Sequence, residues 1–245
     1  MLLSFPLFYA YTSNNDYVKN TDNTLDVDFQ NIDLSKGDQE VELKADKGTN
    51  WTFKLDVPDM DEDEKRPLVI ALHWSGEEDA YEEFNSCLIE PGLEKLRAFI
   101  ITPDGENVTW ESKSNVEKVI NLVALAKKHW PIDPEKIVVT GYSDGGNASW
   151  FFADQYPDHF TAAIPIASVY RVRNTKIIQA PIYIIHGTED EHYPAEQTLF
   201  YAEKALNEGN NIEFYAAEGL SHFMPCEYAT HLMQASRWLR RKAWK

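Results

Sequence analysis

Five short, almost purely apolar segments constrain the fold of this chain more than any other feature. Continuous rather than alternating apolar residues are typical of strands that are buried on both faces, as in parallel sheets covered by helices. Since helical patterns separate the segments, they predict a mostly parallel sheet with right-handed crossovers and helices on both faces. The segments are 67–73, 98–103, 136–141, 162–167 and 181–187.

Weaker patterns extend this sheet at both ends. Alternating apolar and polar residues at 41–45 and 51–57 predict two half-exposed antiparallel strands at its amino-terminal edge, and 212–217 predicts a final strand. Ser114 and Glu117 form a capping-box pattern that predicts the start of a helix. Further helices are predicted at 146–156, at 195–207 and from Tyr228 to the end of the chain.

The first 38 residues are predicted to lie outside the catalytic domain, which then covers 39–245. Residues 1–10 form an apolar run that ends in a small residue and resembles a secretory signal without its basic start. Residues 11–38 are rich in Asn, Asp, Thr and Ser, which is typical of a flexible tether. We therefore expect a secreted, periplasmic or cell-surface protein. If the apolar run at 1–10 is only an apolar tail, the alternative is a cytoplasmic protein.

Charge and cysteine content exclude several classes of protein. The 40 acidic residues against 23 basic ones give a formal net charge of −17, so nucleic acid is not an expected partner. The amino-terminal apolar run is too short to cross a bilayer, and no transmembrane segment is expected. Cys87 and Cys226 lack metal-ligand spacing, although one disulfide between them is possible.

The pentapeptide 141–145, Gly-Tyr-Ser-Asp-Gly, lies between a predicted buried strand and a predicted helix. In that context G-x-S-x-G forms a nucleophile elbow, a turn that exposes a serine in a strained backbone conformation. Glycines flank the serine because a Cβ there would collide with the neighbouring strand and helix. The sequence thus predicts Ser143 as a nucleophile.

A serine hydroxyl needs a histidine to accept its proton and a carboxylate to orient that histidine. The fold's chain order is serine, acid, histidine, and His222, in the loop between the last strand and the last helix, is the predicted base. His186 ends a buried strand and is expected to pack or bond locally. His192 is too close to the acid loop, and His231 is inside a helix.

The predicted acid is Asp190, which follows a buried strand at the end of the sequence His-Gly-Thr-Glu-Asp. From that loop a carboxylate can reach the base. Its neighbours Glu189 and Glu191 are the rivals, and they are expected to face water. Another interpretation of Asp190 is that it belongs to a helix N-cap region before Pro194.

These motifs carry a family resemblance. The chain resembles α/β-hydrolases of the esterase kind, and more narrowly the branch holding feruloyl and acetyl-xylan esterases, polyhydroxybutyrate depolymerases and phospholipase/carboxylesterases. The resemblance covers roughly 65–240 and implies an α/β-hydrolase fold with no metal and no cofactor. It rests on L-H-x-S-G at 72–76, G-Y-S-D-G-G at 141–146, H-G-T-E-D at 186–190 and S-H-F at 221–223.

The resemblance also implies an oxyanion hole of two backbone N–H groups. One belongs to Asp144, which follows the nucleophile, and the other is carried over to Ser75 in the loop after the third strand. Trp74 stands where the family usually has glycine. It therefore either supplies the second N–H, walls the acyl pocket or packs outward, and these alternatives stay open.

Four residues are predicted to bind substrate: His73, Trp74, Trp110 and Tyr142. Trp110 follows the fourth strand, where an aromatic platform would suit a sugar or a phenolic ester, although it could equally plug the junction to the next helix. Tyr142 would more often pack beneath such a site. The short segment after the sixth strand predicts that no large lid is present.

The predicted function is hydrolysis of carboxylic esters through an acyl-enzyme, with a small-molecule or carbohydrate-linked ester as substrate. Short-chain and phenolic acyl groups both fit this expectation. The alternatives are a peptidase or thioesterase with the same triad, or a binding protein without turnover. The sequence does not determine the oligomeric state.

Overall fold

The computed structural model describes residues 23–35, 37–45, 49–61, 64–76, 79–169 and 177–245. These ranges contain eight strands, which form one sheet. The strands are β1 (Gly37–Lys44), β2 (Asn50–Val57), β3 (Arg66–Leu72), β4 (Phe99–Pro103), β5 (Ile132–Tyr142), β6 (Ala162–Ile166), β7 (Ile182–Gly187) and β8 (Ile212–Ala217).

The order of the strands across the sheet is β1-β2-β4-β3-β5-β6-β7-β8. β1 and β2 pair antiparallel, and β2 pairs antiparallel with β4, whereas all pairings from β4 through β3 to β8 are parallel. The predicted fold class is therefore confirmed, including the antiparallel amino-terminal edge. All residues of β4, β6 and β7 are buried, as continuous apolar segments require.

Helices cover both faces of the sheet. Along β3, Leu68 and Ile70 pack into one apolar cluster, and Val69 and Ala71 pack into the other. The described helices are α1 (Asn23–Gln30), α2 (Ala80–Phe84), α3 (Glu90–Leu93), α4 (Lys113–His129), α5 (Asp144–Gln155), α6 (Ala195–Asn207) and α7 (Ala229–Trp238). The first cluster contains side chains of α1, α4, α5 and α6, and the second contains side chains of α2, α3 and α7.

The start of α4 differs from the prediction. Ser112 is its N-cap, and the Ser112 hydroxyl accepts a hydrogen bond from the backbone N–H of Asn115 at 3.3 Å. Ser114, which was predicted to cap the helix, lies in the first turn, where its hydroxyl is 3.1 Å from that of Ser112. The capping-box prediction was therefore wrong by two residues, because both serines precede the same apolar pattern.

The predicted tether at 11–38 is wrong where helix α1 lies. Leu25 and Phe29 of α1 are 3% and 0% exposed. The Phe29 ring stacks on Trp130 with the ring centroids 4.6 Å apart. Among the described residues, core packing therefore includes α1, which precedes the sheet in the chain. The apolar run at 1–10 lies outside the described residues.

A helical segment at 80–96, which the sequence did not predict, connects β3 to β4. It consists of α2, a π-helical turn at Asn85–Ile89, α3 and a 3₁₀ turn at Glu94–Leu96. A Cβ on Gly92 would lie 2.7 Å from Cδ2 of Leu232, so α3 packs very closely on α7. A 3₁₀ turn at Pro225–Tyr228 and a π-helical turn at Leu239–Ala243 flank α7.

The prediction that no large lid is present concerned the segment after β6, of which residues 170–176 lie outside the described residues. Within the described part of the chain, no helix combines the length and the hydropathy that a membrane span requires.

Candidate active site

Ser143 lies at the turn between β5 and α5, with φ 55° and ψ −115°. Residues other than glycine rarely adopt such a conformation, which costs about 1–3 kcal/mol and persists only where the surrounding structure enforces it. The backbone N–H of Ser143 donates to the carbonyl of Ile166 at 3.0 Å, so the end of β6 helps to hold the turn. The G-x-S-x-G segment thus has the strained strand-to-helix geometry that the sequence predicted.

The glycines of the turn allow a close approach of backbones. A Cβ on Gly145 would overlap the carbonyl oxygen of Leu72, and a Cβ on Gly141 would overlap the backbone of Gly145. The first turn of α5 therefore lies directly against the end of β3. This contact brings the loop at 73–76 next to the amino terminus of α5.

Three predicted residues are joined by hydrogen bonds at this point. Oγ of Ser143 lies 2.9 Å from Nε2 of His222, and Nδ1 of His222 lies 2.9 Å from Oδ2 of Asp190. His222 and Asp190 are 7% and 5% exposed. If Nδ1–H donates to the carboxylate, Nε2 is free to accept the serine proton. The arrangement can therefore activate a hydroxyl as a nucleophile.

The carboxylate of Asp190 has further donors. Its Oδ1 accepts backbone N–H groups of His192 at 2.9 Å and of Tyr193 at 2.7 Å. Burial by itself raises the pKa of Asp190, but hydrogen bonds from His222 and Tyr193 outweigh burial and hold the pKa below its usual value. The carboxylate is therefore ionised at neutral pH, and it favours the His222 tautomer with a proton on Nδ1.

Two side chains hold the backbone of His222. The Tyr142 hydroxyl donates to the carbonyl of His222 at 2.7 Å, and Oε2 of Glu191 accepts the His222 N–H at 3.0 Å. Tyr142 is 2% exposed, and burial raises its pKa. Tyr142 therefore packs beneath the site, as its alternative interpretation predicted, and supports the base loop rather than offering an exposed ring to a substrate. Glu191 was expected to face water, and its bond to the base loop has no signal in the sequence.

A disulfide joins Cys87 to Cys226, with the Cα atoms 5.0 Å apart. Cys226 follows His222 by four residues, and Cys87 lies in the π-helical turn before α3. The bridge therefore ties the loop that carries His222 to the helical segment at 80–96.

The neighbouring histidines have other partners. Nε2 of the buried His186 lies 2.7 Å from the carbonyl of Tyr193, which confirms the predicted local bonding. Nε2 of His186 lies 3.6 Å from Oδ2 of Asp190. Burial lowers the pKa of His186, so its ring is neutral at neutral pH. The exposed ring of His192 lies 4.7 Å from that of His222, between centroids.

His73 and Trp110 are buried and bonded to the protein itself, which favours the alternative interpretation of Trp110 as a plug over a role in substrate binding. They are 4% and 3% exposed, and the indole N–H of Trp110 donates to the carbonyl of His73 at 2.9 Å. Nε2 of His73 accepts the N–H of Gly105 at 2.9 Å, and Nδ1 lies 2.6 Å from the carbonyl of Trp74. Burial lowers the pKa of His73. Both residues therefore support the loop after β3.

Trp74 is half-buried and packs inward. Its ring meets Phe84 and Tyr142 edge-to-face, at centroid distances of 5.6 Å and 6.0 Å. Ser75, next in the loop, is exposed. Asp144 begins α5, so its N–H belongs to the first helical turn, where N–H groups have no partner within the helix. Asp144 therefore follows Ser143 directly, and the loop that carries Trp74 and Ser75 begins at the backbone contact of Gly145 with Leu72 and His73.

One group of carboxylates among the described residues has metal-ligand spacing. Oxygens of Asp38, Asp56 and Glu90 lie within 4.8 Å of one another. Asp56 pairs with Ile100, the second residue of β4, so the group lies toward the amino ends of the parallel strands, away from Ser143. Burial, reinforced by Glu90 and Asp38, raises the pKa of Asp56 to about 6.

Residues 100–243, which include Ser143, Asp190 and His222, match the profile of the dienelactone hydrolase family. The chain belongs to the dienelactone hydrolase family. Members of this family and the esterases that the sequence resembles share the α/β-hydrolase fold, so the predicted superfamily is confirmed.

Individual relatives are more distant. The protein usf of Aquifex pyrophilus is 30% identical over 93 residues, which cover 36% of this chain and 39% of that protein. An uncharacterized secreted protein of Arthroderma benhamiae is 23% identical over 250 residues, which cover 94% of this chain and 26% of that protein. The chain thus matches well under half the length of each of these two relatives.

The crystal structure of a thermostable esterase superposes on this chain with a TM-score of 0.70. It is 24% identical to this chain, and the alignment covers 83% of this chain and 62% of that one. The match shows that the two proteins share a fold.

Proposed function

We propose that this protein is a serine hydrolase that cleaves carboxylic esters through an acyl-enzyme. The observation that carries the proposal is the continuous hydrogen-bonded chain from Oγ of Ser143 through the ring of His222 to Oδ2 of Asp190. Membership of the dienelactone hydrolase family supports it. In this proposal Ser143 is the nucleophile, His222 the general base and Asp190 the acid that orients it.

The first half of the proposed reaction forms the acyl-enzyme. Oγ of Ser143 attacks the ester carbonyl carbon while Nε2 of His222 takes the hydroxyl proton. The tetrahedral oxyanion accepts hydrogen bonds from the N–H of Asp144 and from that of Ser75 or Trp74. When the intermediate collapses, the carbon–oxygen bond to the alcohol breaks, and the alkoxide takes the proton from His222.

The second half returns the enzyme to its starting state. His222 takes a proton from water, and the hydroxide oxygen attacks the acyl carbon. Collapse of the second intermediate breaks the bond to Oγ, which recovers its proton from His222, and the carboxylic acid leaves. All steps use side chains and backbone N–H groups of this chain.

The proposed substrates are short-chain, carbohydrate-linked or phenolic acyl esters. Since a serine triad can transfer any activated acyl group, the shape of the site decides between an ester, a thioester and a peptide bond. A panel of acetyl, feruloyl, thioester and peptide substrates separates these possibilities. We expect ester hydrolysis to have the highest kcat/KM.

The proposed location is outside the cytoplasm. Disulfides persist in oxidising compartments, and the bridge between Cys87 and Cys226 suits such a compartment. The secreted relative from Arthroderma benhamiae is consistent with this location. Expression with and without residues 1–22, followed by fractionation, tests it, and retention of both forms in the cytoplasm would contradict it.

The test of the proposed activity is the variant Ser143→Ala. It should lose hydrolysis of p-nitrophenyl acetate, by about 10⁵–10⁶-fold in kcat, and labelling by a fluorophosphonate. The exposed Ser86, whose hydroxyl donates to the carbonyl of Glu83, offers a matched control in Ser86→Ala. A Ser143→Ala variant that is still labelled and still active would contradict the proposal.

A further inference from the structure

Two large apolar side chains stand exposed directly after the proposed base. Phe223 is 73% exposed and Met224 is 39% exposed. Isolated apolar side chains on a surface are common and need no explanation, but adjacent ones beside a reactive group often mark a binding surface. Covering such a ring with an apolar group of a ligand would remove it from water, and full burial of a side chain of this size contributes about 1.5–3 kcal/mol.

The loop that carries Phe223 is held in place on both sides. Before it, the Tyr228 hydroxyl donates to the carbonyl of Ser221 at 3.3 Å. At His222, both the carbonyl and the N–H are bonded to side chains. After it, the disulfide at Cys226 fixes the chain. The ring of Phe223 is therefore presented to solvent by a braced backbone rather than by a loose one.

The Phe223 ring is also close to the reacting atoms. Its centroid lies 5.6 Å from that of His222, with the ring planes at 82°. The rings of Tyr193 and His192 flank the same imidazole at 5.3 Å and 4.7 Å. Together they form an aromatic surround for the base, from which Phe223 and Met224 extend outward. Because His222 must give its proton to the leaving oxygen, the alcohol part of the ester is the part that projects past His222 toward this surface.

The charge of the surrounding loops favours an uncharged substrate. The loops at 187–194 and 218–228, which carry Asp190 and His222, contain no lysine or arginine. They do contain acidic side chains that would repel an anionic group near the site. These side chains are Glu189, Glu191, Glu218 and Glu227.

We propose that Phe223 and Met224 form a binding surface for the apolar part of the substrate. This surface selects uncharged esters whose alcohol part is an alkyl chain of several carbons or an aromatic ring over esters of small alcohols. The inference rests on the proposed esterase function and adds specificity residues to it. Phe223 and Met224 act by contact with the substrate, and they take no part in proton transfer.

The test compares kcat/KM for ethyl acetate and hexyl acetate in the wild type and in Phe223→Ala. The loss of the ring should lower the hexyl-to-ethyl ratio about tenfold, mainly through KM, because the longer alcohol chain loses its contact with the ring. Phe223→Leu should restore most of the ratio, since it keeps an apolar contact. For the wild type, the acetate ester of 6-hydroxyhexanoic acid should be about tenfold poorer than hexyl acetate, because its carboxylate approaches acidic loops.

Phe200 supplies the matched control. It is 61% exposed and lies on α6, where its ring contacts Tyr201. Phe200→Ala should leave the ratio as in the wild type. An unchanged ratio in an active Phe223→Ala variant would contradict this inference alone, as would an equal loss on both esters. If the wild type hydrolysed no ester and took no fluorophosphonate label, the proposed function would fail, and this inference with it.

Discussion

Asp190 and Asp56 lie at opposite ends of the sheet, and the structure holds their carboxyl groups in opposite ways. Asp190 receives hydrogen bonds from His222 and from two backbone N–H groups, and its pKa is lowered. Asp56 has one oxygen that is buried without a hydrogen-bond partner, and it lies near Glu90 and Asp38. Its pKa is raised to about 6.

Hydrogen-bond donors, rather than burial, therefore decide whether these two carboxyl groups are charged. Burial raises the pKa of both groups, but only at Asp190 do hydrogen bonds to the ionised form outweigh it. A negative charge is thus maintained where a histidine must be oriented. At the antiparallel edge, ionisation of Asp56 lowers the stability of the folded protein.

The helical segment at 80–96 connects the two regions. Its Asn85 amide donates to Glu90 at 2.9 Å, and Asn85 also bonds to Asp56. Two residues further on, Cys87 forms the disulfide to the base loop. One short segment therefore contacts the acidic group on one side and the support of His222 on the other.

The largest expected effect comes from Asp190→Asn. An amide cannot hold the Nδ1–H tautomer of His222, so kcat should fall about 10³–10⁴-fold while the fold is kept. Hydrolysis of p-nitrophenyl acetate measures it, with circular dichroism to check folding. The exposed neighbour gives the control, since Glu189→Gln should stay within about twofold of the wild type. Equal activity of Asp190→Asn and the wild type would remove Asp190 from its proposed role.

Removal of the disulfide should have the next largest effect. The double variant Cys87→Ser/Cys226→Ser opens a cross-link between positions 139 residues apart, and the free energy of unfolding should fall by about 2–4 kcal/mol. Urea denaturation measures the loss. Reduced wild-type protein should show the same stability as the double variant. If oxidised and reduced wild type unfold at the same urea concentration, the bridge does not stabilise the base loop.

Asp56→Asn should have a smaller effect of the opposite sign. The folded pKa of about 6 lies above the ordinary pKa of 3.8 for this group, so the folded state binds the proton more tightly. The contribution of this group to stability is therefore lost as pH rises through about 6. The neutral amide should therefore stabilise the protein at pH 7 by about 1–2 kcal/mol, after allowance for partial exposure, and by almost nothing at pH 4.

Urea denaturation of Asp56→Asn and the wild type at the two pH values checks this prediction. Esterase activity at pH 7 should be unaffected, because Asp56 lies away from Ser143. A variant that is less stable than the wild type at pH 7 would show that the ionised carboxylate is satisfied in the folded protein, and the contrast with Asp190 would then fail.

The parallel sheet and the elbow were predictable because their signals are local. Each parallel strand is a short apolar segment, and the turn around Ser143 requires glycine at positions that the sequence displays. The pairing of His222 with Asp190 followed from the chain order of a known fold. That assignment remains a proposal, although the geometry brings the three side chains together.

The parts that were missed depend on distant partners. Helix α1 is only eight residues long, and Phe29 packs it on Trp130, which is remote in sequence. Pro91 and Gly92 resemble a turn, yet Gly92 lies in a helix because α7 packs against it. Trp110 was expected to touch substrate, and only the folded structure shows its indole N–H on the His73 carbonyl.

The most direct test of the account is to locate the covalent adduct of a fluorophosphonate by peptide mass spectrometry. The wild type should carry one adduct per chain, on the peptide that contains Ser143, and Asp190→Asn should form it much more slowly. An adduct on any other residue, Ser75 included, or a folded protein that forms none, would contradict the central claim that Ser143, His222 and Asp190 act together as the nucleophile system.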